Sequence, residues 1–208
     1  MLLYSRNVSN YCFKTEWALS ELDISVTREL NQGDRDQVGM AKVAQASPAL
    51  ITVPALDDHG FVLTESTVIV QYLVDSKGID RPFFPKDPKQ RARILQWDRF
   101  CDFEVARILG VLYYNSPGYL DGGKPDQAAV DAARNEFPAI EAKLESVLSK
   151  SKYMTSQQEF TYADVSLAVN VFFLSWFGIT ATLPGVSRWL TECTSRPKFK
   201  KRLELATS

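Results

Sequence analysis

Two short stretches of this chain hold residue types that could do chemistry together. The first is Thr64-Glu65-Ser66, preceded by Val53-Pro54-Ala55-Leu56, the polar turn Asp57-Asp58-His59-Gly60, and Phe61-Val62-Leu63. Two apolar runs around a glycine-containing turn predict a β-hairpin. Val68, Ile69, Tyr72 and Leu73 then recur at helical spacing, so a helix is expected to begin where the hairpin ends. A helix start aims unbonded backbone N–H groups and partial positive charge outward, which suits a carboxylate. Glu65 adds an acid able to hold an amine, so a ligand carrying both groups is the chemistry expected there. The plainer role of these residues is cap and first turn. The second stretch is the polar loop Arg6-Asn7-Val8-Ser9-Asn10-Tyr11-Cys12, with Ser9 or Asn10 at the start of a helix. Other chemistries are poorly supplied. His59 is the single histidine, and Cys12, Cys101 and Cys193 are odd in number and far apart. A Ser-His-Asp triad, a histidine-rich metal centre, a CxxC zinc site and a disulfide framework are therefore not expected.

The elements that must position these stretches read in order. Leu2 to Ser5 is a short strand, and a helix runs from Ser9 or Asn10 to about Leu22, with Tyr11, Thr15, Ala18 and Leu22 on one face. Ile24 to Leu30 alternates and is rich in β-branched residues, which predicts a second strand. A weak helix around Asp36 to Ala44 precedes the hairpin and its helix. This is an α/β pattern with a small mixed sheet, over residues 1–77. Residues 78–87, with two prolines and one glycine, read as a linker.

From 88 to 208 no strand is predicted. Asp87-Pro88 opens a helix carrying Ile94, Trp97, Cys101, Val105, Ile108 and Leu112, stopped by Asn115-Ser116-Pro117-Gly118. A second long helix from about Asp126 carries Val130, Ala133, Phe137, Ile140, Leu144 and Val147, with Pro138 expected to kink or divide it. Thr161-Tyr162-Ala163-Asp164 resembles a capping box ahead of an apolar, buried helix through about Phe177. Pro184 opens another helix, and Lys198 to Leu205 add a charged tail helix. Two domains result, the second all-helical.

At 208 residues, 45% hydrophobic and with a net charge of −1, the chain can bury a core and has no basic surplus for a phosphate backbone. Nucleic acid is not an expected partner. The apolar run from Ser166 to Ile179 is too short to span a bilayer, and the N-terminus lacks the apolar core of a secretion signal, so no membrane and a cytoplasmic location are expected.

Taken together the pieces resemble the soluble glutathione S-transferases. Leu3-Tyr4-Ser5 through Ala18-Leu19-Ser20-Glu21-Leu22-Asp23-Ile24 is similar to the family's opening strand and helix. Val53-Pro54-Ala55-Leu56 with Glu65-Ser66 and Tyr72-Leu73 is similar to its glutathione signature, Thr161 to Asp164 to the capping box of its core helix, and Arg196-Pro197 to its last helix boundary. The resemblance implies an α/β thioredoxin-like N-terminal domain plus an all-α C-terminal helical bundle. It implies glutathione as co-substrate, a small hydrophobic electrophile, no metal and a homodimer. It also implies a cis peptide before Pro54 that turns the Val53 backbone toward glutathione, Ser66 on the γ-glutamyl carboxylate and Glu65 on its amine. Lys42, Gln45 and Thr52 become candidates for the glycine carboxylate.

Activation is implied at Ser9, where serine-type members keep a hydroxyl that stabilises the glutathione thiolate, with Asn10 as a second donor and Tyr4 as a tyrosine-type alternative. An electrophile pocket between the domains is implied, lined by Arg107, Val111, Tyr113 and Tyr114, and Asp98 and Asp102 fall where a partner subunit could reach the amine. For those two a solvated helix face is the plainer expectation. Glu16 stands where the family often carries a basic residue, and no asparagine or glycine occurs between Ser47 and Leu50. Two alternatives to conjugation are a glutathione-binding protein without transferase chemistry and a thiol-redox enzyme acting through Cys12.

Overall fold

The computed structural model describes residues 1–30, 38–46, 48, 50–120 and 123–207. The chain divides into two compact units, Met1–Lys86 together with Arg196–Ser208, and Asp87–Ser195.

In the first unit β1 (Leu2–Ser5) is central in a four-stranded sheet of order β2-β1-β3-β4. It pairs in parallel with β2 (Thr27–Leu30) and antiparallel with β3 (Ala55–Asp58), which pairs antiparallel with β4 (Phe61–Thr64). The predicted second strand is shorter than expected, since Ile24 to Val26 lie outside the ladder. Helix α1 (Asn10–Glu21) follows β1, α2 (Val38–Ala46) precedes the hairpin, and α3 (Ser66–Ser76) leaves it. Part of the weak helix expected from Asp36 lies outside the described residues, as do Ser47 and Ala49.

Register decides what meets. Tyr4 pairs with Ala55, and Ala55 with Thr64, at one end of the sheet; Leu2, Asp57 and Val62 align at the other. The loop after Ser5, the Val53-Pro54 step before Ala55, and Glu65-Ser66 after Thr64 therefore leave the sheet at the same end.

The tail does not follow the expected domain boundary. Helix α10 (Pro197–Thr207) belongs to the first unit, where Phe199 is buried with ring centres 5.0 Å from Phe13 and 4.9 Å from Trp17. Arg196 forks onto Glu21 through two bonds of 2.9 Å, and the Lys198 ammonium donates to the Ser20 carbonyl at 2.6 Å. The expected linker is also part of this unit, with Phe83, Phe84 and Pro85 buried. Apolar burial there outweighs the breaker signal of the prolines.

The second unit is helical. Asp87 caps α4 (Pro88–Phe100) by accepting from Gln90 N–H at 2.8 Å. The single long helix expected next is interrupted by a π-helical turn, Cys101–Val105, before α5 (Ala106–Tyr114) and the short α6 (Pro117–Leu120). Trp97, Cys101, Val105 and Ile108 keep three- and four-residue steps across it, so spacing does not reveal it. Helix α7 (Gln127–Leu148) runs through Pro138 undivided. Buried Ala133 and Phe137 before the proline, and Ile140 and Leu144 after it, hold both halves to one core. That burial offsets a proline cost of about 3 kcal/mol.

Helix α8 (Tyr162–Leu174) is buried along nearly its whole length, as its apolar sequence predicts. Helix α9 (Pro184–Ser195) is started by α7: Glu141 accepts from Thr182 and Leu183 N–H, and Glu145 from Gly185 and Val186 N–H. A Cβ at Gly185 would stand 2.8 Å from a Glu145 carboxylate oxygen and from the Leu148 backbone, which only glycine avoids. Among the described residues, no helix is long and apolar enough to cross a membrane.

Candidate functional site

Ser9 is the N-cap of α1, with extended backbone at φ −143 and ψ 121. Its hydroxyl accepts from Cys12 N–H at 3.3 Å, and its carbonyl accepts from Phe13 N–H at 2.8 Å. The cap bond uses an oxygen lone pair and leaves the hydroxyl proton for donation. Asn10, half-buried, is the first residue of the helix.

Cys12 lies one turn further in and is fully buried. Burial pushes its thiol above the usual value, while Ser9, the Arg6 backbone N–H and Ser5 pull the other way. A buried thiol with a raised pKa is a poor nucleophile, which sets the structure against redox chemistry through Cys12. None of the three cysteines forms a disulfide, and all three are buried. The native protein should therefore be almost unreactive toward a thiol reagent on a timescale of minutes, and show three thiols once unfolded. A rapidly modified cysteine in the native state would overturn this.

Tyr4, the alternative hydroxyl, is placed in a core cluster with Val43 and Ala55. Burial pushes its phenol upward, and Glu29 and Asp57 add to the shift. Its surroundings disfavour a charged or proton-donating role.

The hairpin stretch supplies the second part. The Val53–Pro54 peptide is cis, as the resemblance implies, with Pro54 buried and Val53 half-buried. Glu65 has φ 71 and ψ 114, a backbone conformation uncommon outside glycine. It makes no side-chain cap bond, so the plain capping role does not describe it. Its side chain is exposed and has no partner among the described residues. Such backbone strain costs on the order of 1–3 kcal/mol and concentrates at sites of binding and catalysis. Ser66 is buried at the first position of α3, its hydroxyl likewise without a partner among the described residues. The Ser66 carbonyl accepts from Thr15 Oγ1 at 3.5 Å, and the buried Lys14 ammonium donates to Thr67 Oγ1 at 3.3 Å, tying α3's first turn to α1. At one end of the sheet there are thus a capping hydroxyl, a backbone step at a cis proline, a carboxylate and a helix start.

The other candidates fall elsewhere. Lys42 sits 3.8 Å from Asp57 and, with Gln45, lines a hollow of about 330 Å³ beside Gly60 and Val62. That is the opposite end of the hairpin from Val53, so neither joins Glu65 and Ser66. Thr52 is exposed and next to Val53.

In the second unit Arg107, Val111 and Tyr114 follow one face of α5. Arg107 is already paired with Glu136. Tyr114 packs against Tyr113 at 5.5 Å and Tyr119 at 4.8 Å, and all three rings are exposed. Tyr119, on α6, is the member that helical spacing could not supply. Asp98 is wholly buried, accepting from Ser166 Oγ at 2.8 Å and pairing with Arg99 at 3.1 Å; the solvated face expected for it is not found. Asp102 pairs with the same Arg99.

Comparison with known proteins agrees with this fold. The family described as "Glutathione S-transferase, N-terminal domain" matches residues 3–79. Glutathione S-transferase D7 of Drosophila melanogaster is 31% identical over 161 residues, 74% of this chain and 66%, just under two thirds, of its own length. Glutathione S-transferase GstB of Escherichia coli (strain K12) is 28% identical over 212 residues, covering 99% of each chain. In fold, a delta-class glutathione transferase of Nilaparvata lugens superposes with a TM-score of 0.83 at 24% identity, covering 100% of this chain and 94% of that one. Residues 3–79 belong to the glutathione S-transferase N-terminal domain family, and with its thioredoxin-like sheet and helical second unit the chain as a whole has the fold of the soluble glutathione S-transferases.

Proposed function

We propose that this protein conjugates glutathione to small hydrophobic electrophiles, with Ser9 holding the glutathione sulfur as thiolate. The γ-glutamyl end is assigned to Glu65 and Ser66, the cysteinyl backbone to Val53 ahead of cis-Pro54, and the glycine carboxylate to the neighbourhood of Thr52. The observation that carries the reading is Glu65: a non-glycine residue held at φ 71, with an exposed carboxylate lacking a partner among the described residues. An amine in front of it would complete that carboxylate, and the start of α3 would take the ligand's own carboxylate.

Bound glutathione supplies the nucleophile. Its thiol, ordinarily near pKa ~8.5, is stabilised as thiolate by the Ser9 hydroxyl and the start of α1. The thiolate attacks an electrophilic carbon, forming a carbon–sulfur bond as the leaving group departs or a double bond shifts. The exposed tyrosines Tyr113, Tyr114 and Tyr119 are the apolar surface assigned to the electrophile. A cytoplasmic location and a homodimer go with this reading.

Calorimetric titration with glutathione tests the anchor. The native chain should bind the tripeptide, and Glu65→Gln should weaken binding by roughly 10–100-fold, the worth of a charged hydrogen bond. Unchanged affinity in Glu65→Gln would remove the carboxylate from the site. Turnover against a panel of small electrophiles tests the chemistry: tight glutathione binding with no conjugation would favour a non-catalytic binding protein.

A further inference from the structure

The loop that carries Ser9 is gripped from the far end of the chain. Arg202, on α10, is only 5% exposed. One of its terminal nitrogens, Nη2, donates to the backbone carbonyls of Arg6 and Asn7, each at 3.2 Å. Its Nε lies 2.7 Å from Glu16 Oε2, and its guanidinium stacks 4.8 Å from the Phe13 ring centre. Glu16 is itself crowded: its other oxygen accepts from Ser5 Oγ and, at 3.0 Å, from Arg28 Nε. Arg28 then reaches Asn7 Oδ1 at 2.7 Å. One carboxylate and two arginines thus fasten Ser5, Arg6 and Asn7 in succession, and Ser9 is two residues on.

We propose that Arg202 is a positioning residue for the thiolate-stabilising loop, with Glu16 and Arg28 as its supports. The proposal rests on the reading that Ser9 faces the glutathione sulfur. Residues 6–9 lie between β1 and α1, outside both the strand ladder and the helix. The Arg6 and Asn7 carbonyls need an outside donor, and the guanidinium meets both through Nη2 while its Nε faces Glu16, a fork that the point charge of an ammonium matches only in part. Burying that charge is costly, and a bare docking role would not call for it. Helix α10 is already docked by Phe199 between Phe13 and Trp17, by the Arg196–Glu21 fork and by Lys198 on Ser20. Loss of Arg202 should therefore be felt at the loop more than in the attachment of the helix. A hydroxyl misplaced by about 1 Å is enough to cost on the order of 100-fold in rate.

The test compares Arg202→Gln, Arg202→Lys and Arg28→Gln with the native protein. Four quantities are read: backbone hydrogen exchange in residues 6–12, the pH titration of bound glutathione's thiolate absorbance, glutathione affinity, and the conjugation rate with its KM. Arg202→Gln should speed loop exchange about tenfold or more while α8 stays protected. It should raise the apparent thiol pKa by about one unit, a tenfold change in that equilibrium, and lower kcat while glutathione affinity stays within about threefold. Arg202→Lys should recover part of the loss. Arg28→Gln, which releases Asn7 from the more exposed side, should show the same shift in smaller size and stands in if Arg202→Gln does not fold.

Unchanged loop exchange and thiol titration in a folded Arg202→Gln would overturn the proposal. So would affinity, rate and melting temperature falling together in both glutamine variants, which marks a structural role alone. Ser9→Ala, measured alongside, separates the two readings. If its turnover is undiminished, the role of Ser9 fails, and hydrogen exchange still decides whether Arg202 holds the loop.

Discussion

Ser9→Ala is expected to cut conjugation by roughly 10–100-fold at pH 6, with the deficit closing as pH rises past about 8.5. The pH dependence follows from what the hydroxyl does. A donor to the thiolate favours the charged form and lowers the thiol pKa. If Ser9 and its helix start lower it by about two units, from ~8.5 to ~6.5, the stabilisation is about 2.7 kcal/mol. Below the lowered pKa the native complex then holds up to ~100 times more thiolate than the variant. Above the ordinary pKa both are ionised and the advantage vanishes. A less stabilised thiolate is also a better nucleophile, by a Brønsted slope of about 0.4–0.5, which trims the deficit toward the lower bound. Glutathione affinity should change little, because Glu65, Ser66 and Val53 are untouched.

Ser9 also caps α1 through Cys12 N–H, so alanine removes about 1 kcal/mol of stability as well. Ser9→Gly, which loses only a few tenths of that cap energy, and Ser9→Thr, which keeps the hydroxyl, separate the two effects. Glycine should lose turnover like alanine, and threonine should retain most of it. A rate deficit independent of pH in both hydroxyl-free variants would show that Ser9 positions the ligand without tuning its thiol.

The largest effect on stability is expected at Asp164. Its side chain is fully buried and accepts four hydrogen bonds of 2.9 Å. Two, from Met154 N–H and Trp189 Nε1, meet one oxygen; two, from Thr161 N–H and its hydroxyl, meet the other. The carboxylate thus starts α8, holds the loop before it and reaches α9 through Trp189. Asp164→Ala leaves several buried donors without an acceptor, and a loss of about 3–5 kcal/mol is expected. That is a large share of the 5–15 kcal/mol typical of a folded protein. Asp164→Asn should cost less. It keeps one acceptor oxygen for two of the donors, but sets an amide N–H₂ against the other two. Denaturant melts followed by tryptophan fluorescence would measure both, and a loss under about 1 kcal/mol for alanine would show that water replaces the carboxylate.

Much of this was legible in the chain because its causes are local. The Ser9 cap, the Asp87-Pro88 start, the Thr161–Asp164 box and the apolar run of α8 each depend on residues within a turn or two, and helical or strand periodicity exposes them. The Val53–Leu56 and Phe61–Leu63 runs, with their polar turn, likewise announce a hairpin and the helix behind it. Tertiary structure decided the rest. The φ of Glu65 is set by how β4 must swing into α3, so a residue that reads as a cap becomes an exposed carboxylate without a partner among the described residues. Lys42 and Gln45 lie close to the hairpin in sequence, but register sends them to its far end, with Asp57. The link from Arg202 to Arg6 and Asn7, across nearly the whole chain, leaves no spacing to read. Pairing at that distance is fixed only when the core closes around Phe13, Trp17 and Phe199. The candidates for a glutathione site could be chosen from sequence, whereas the contacts that hold them in place come from the folded core.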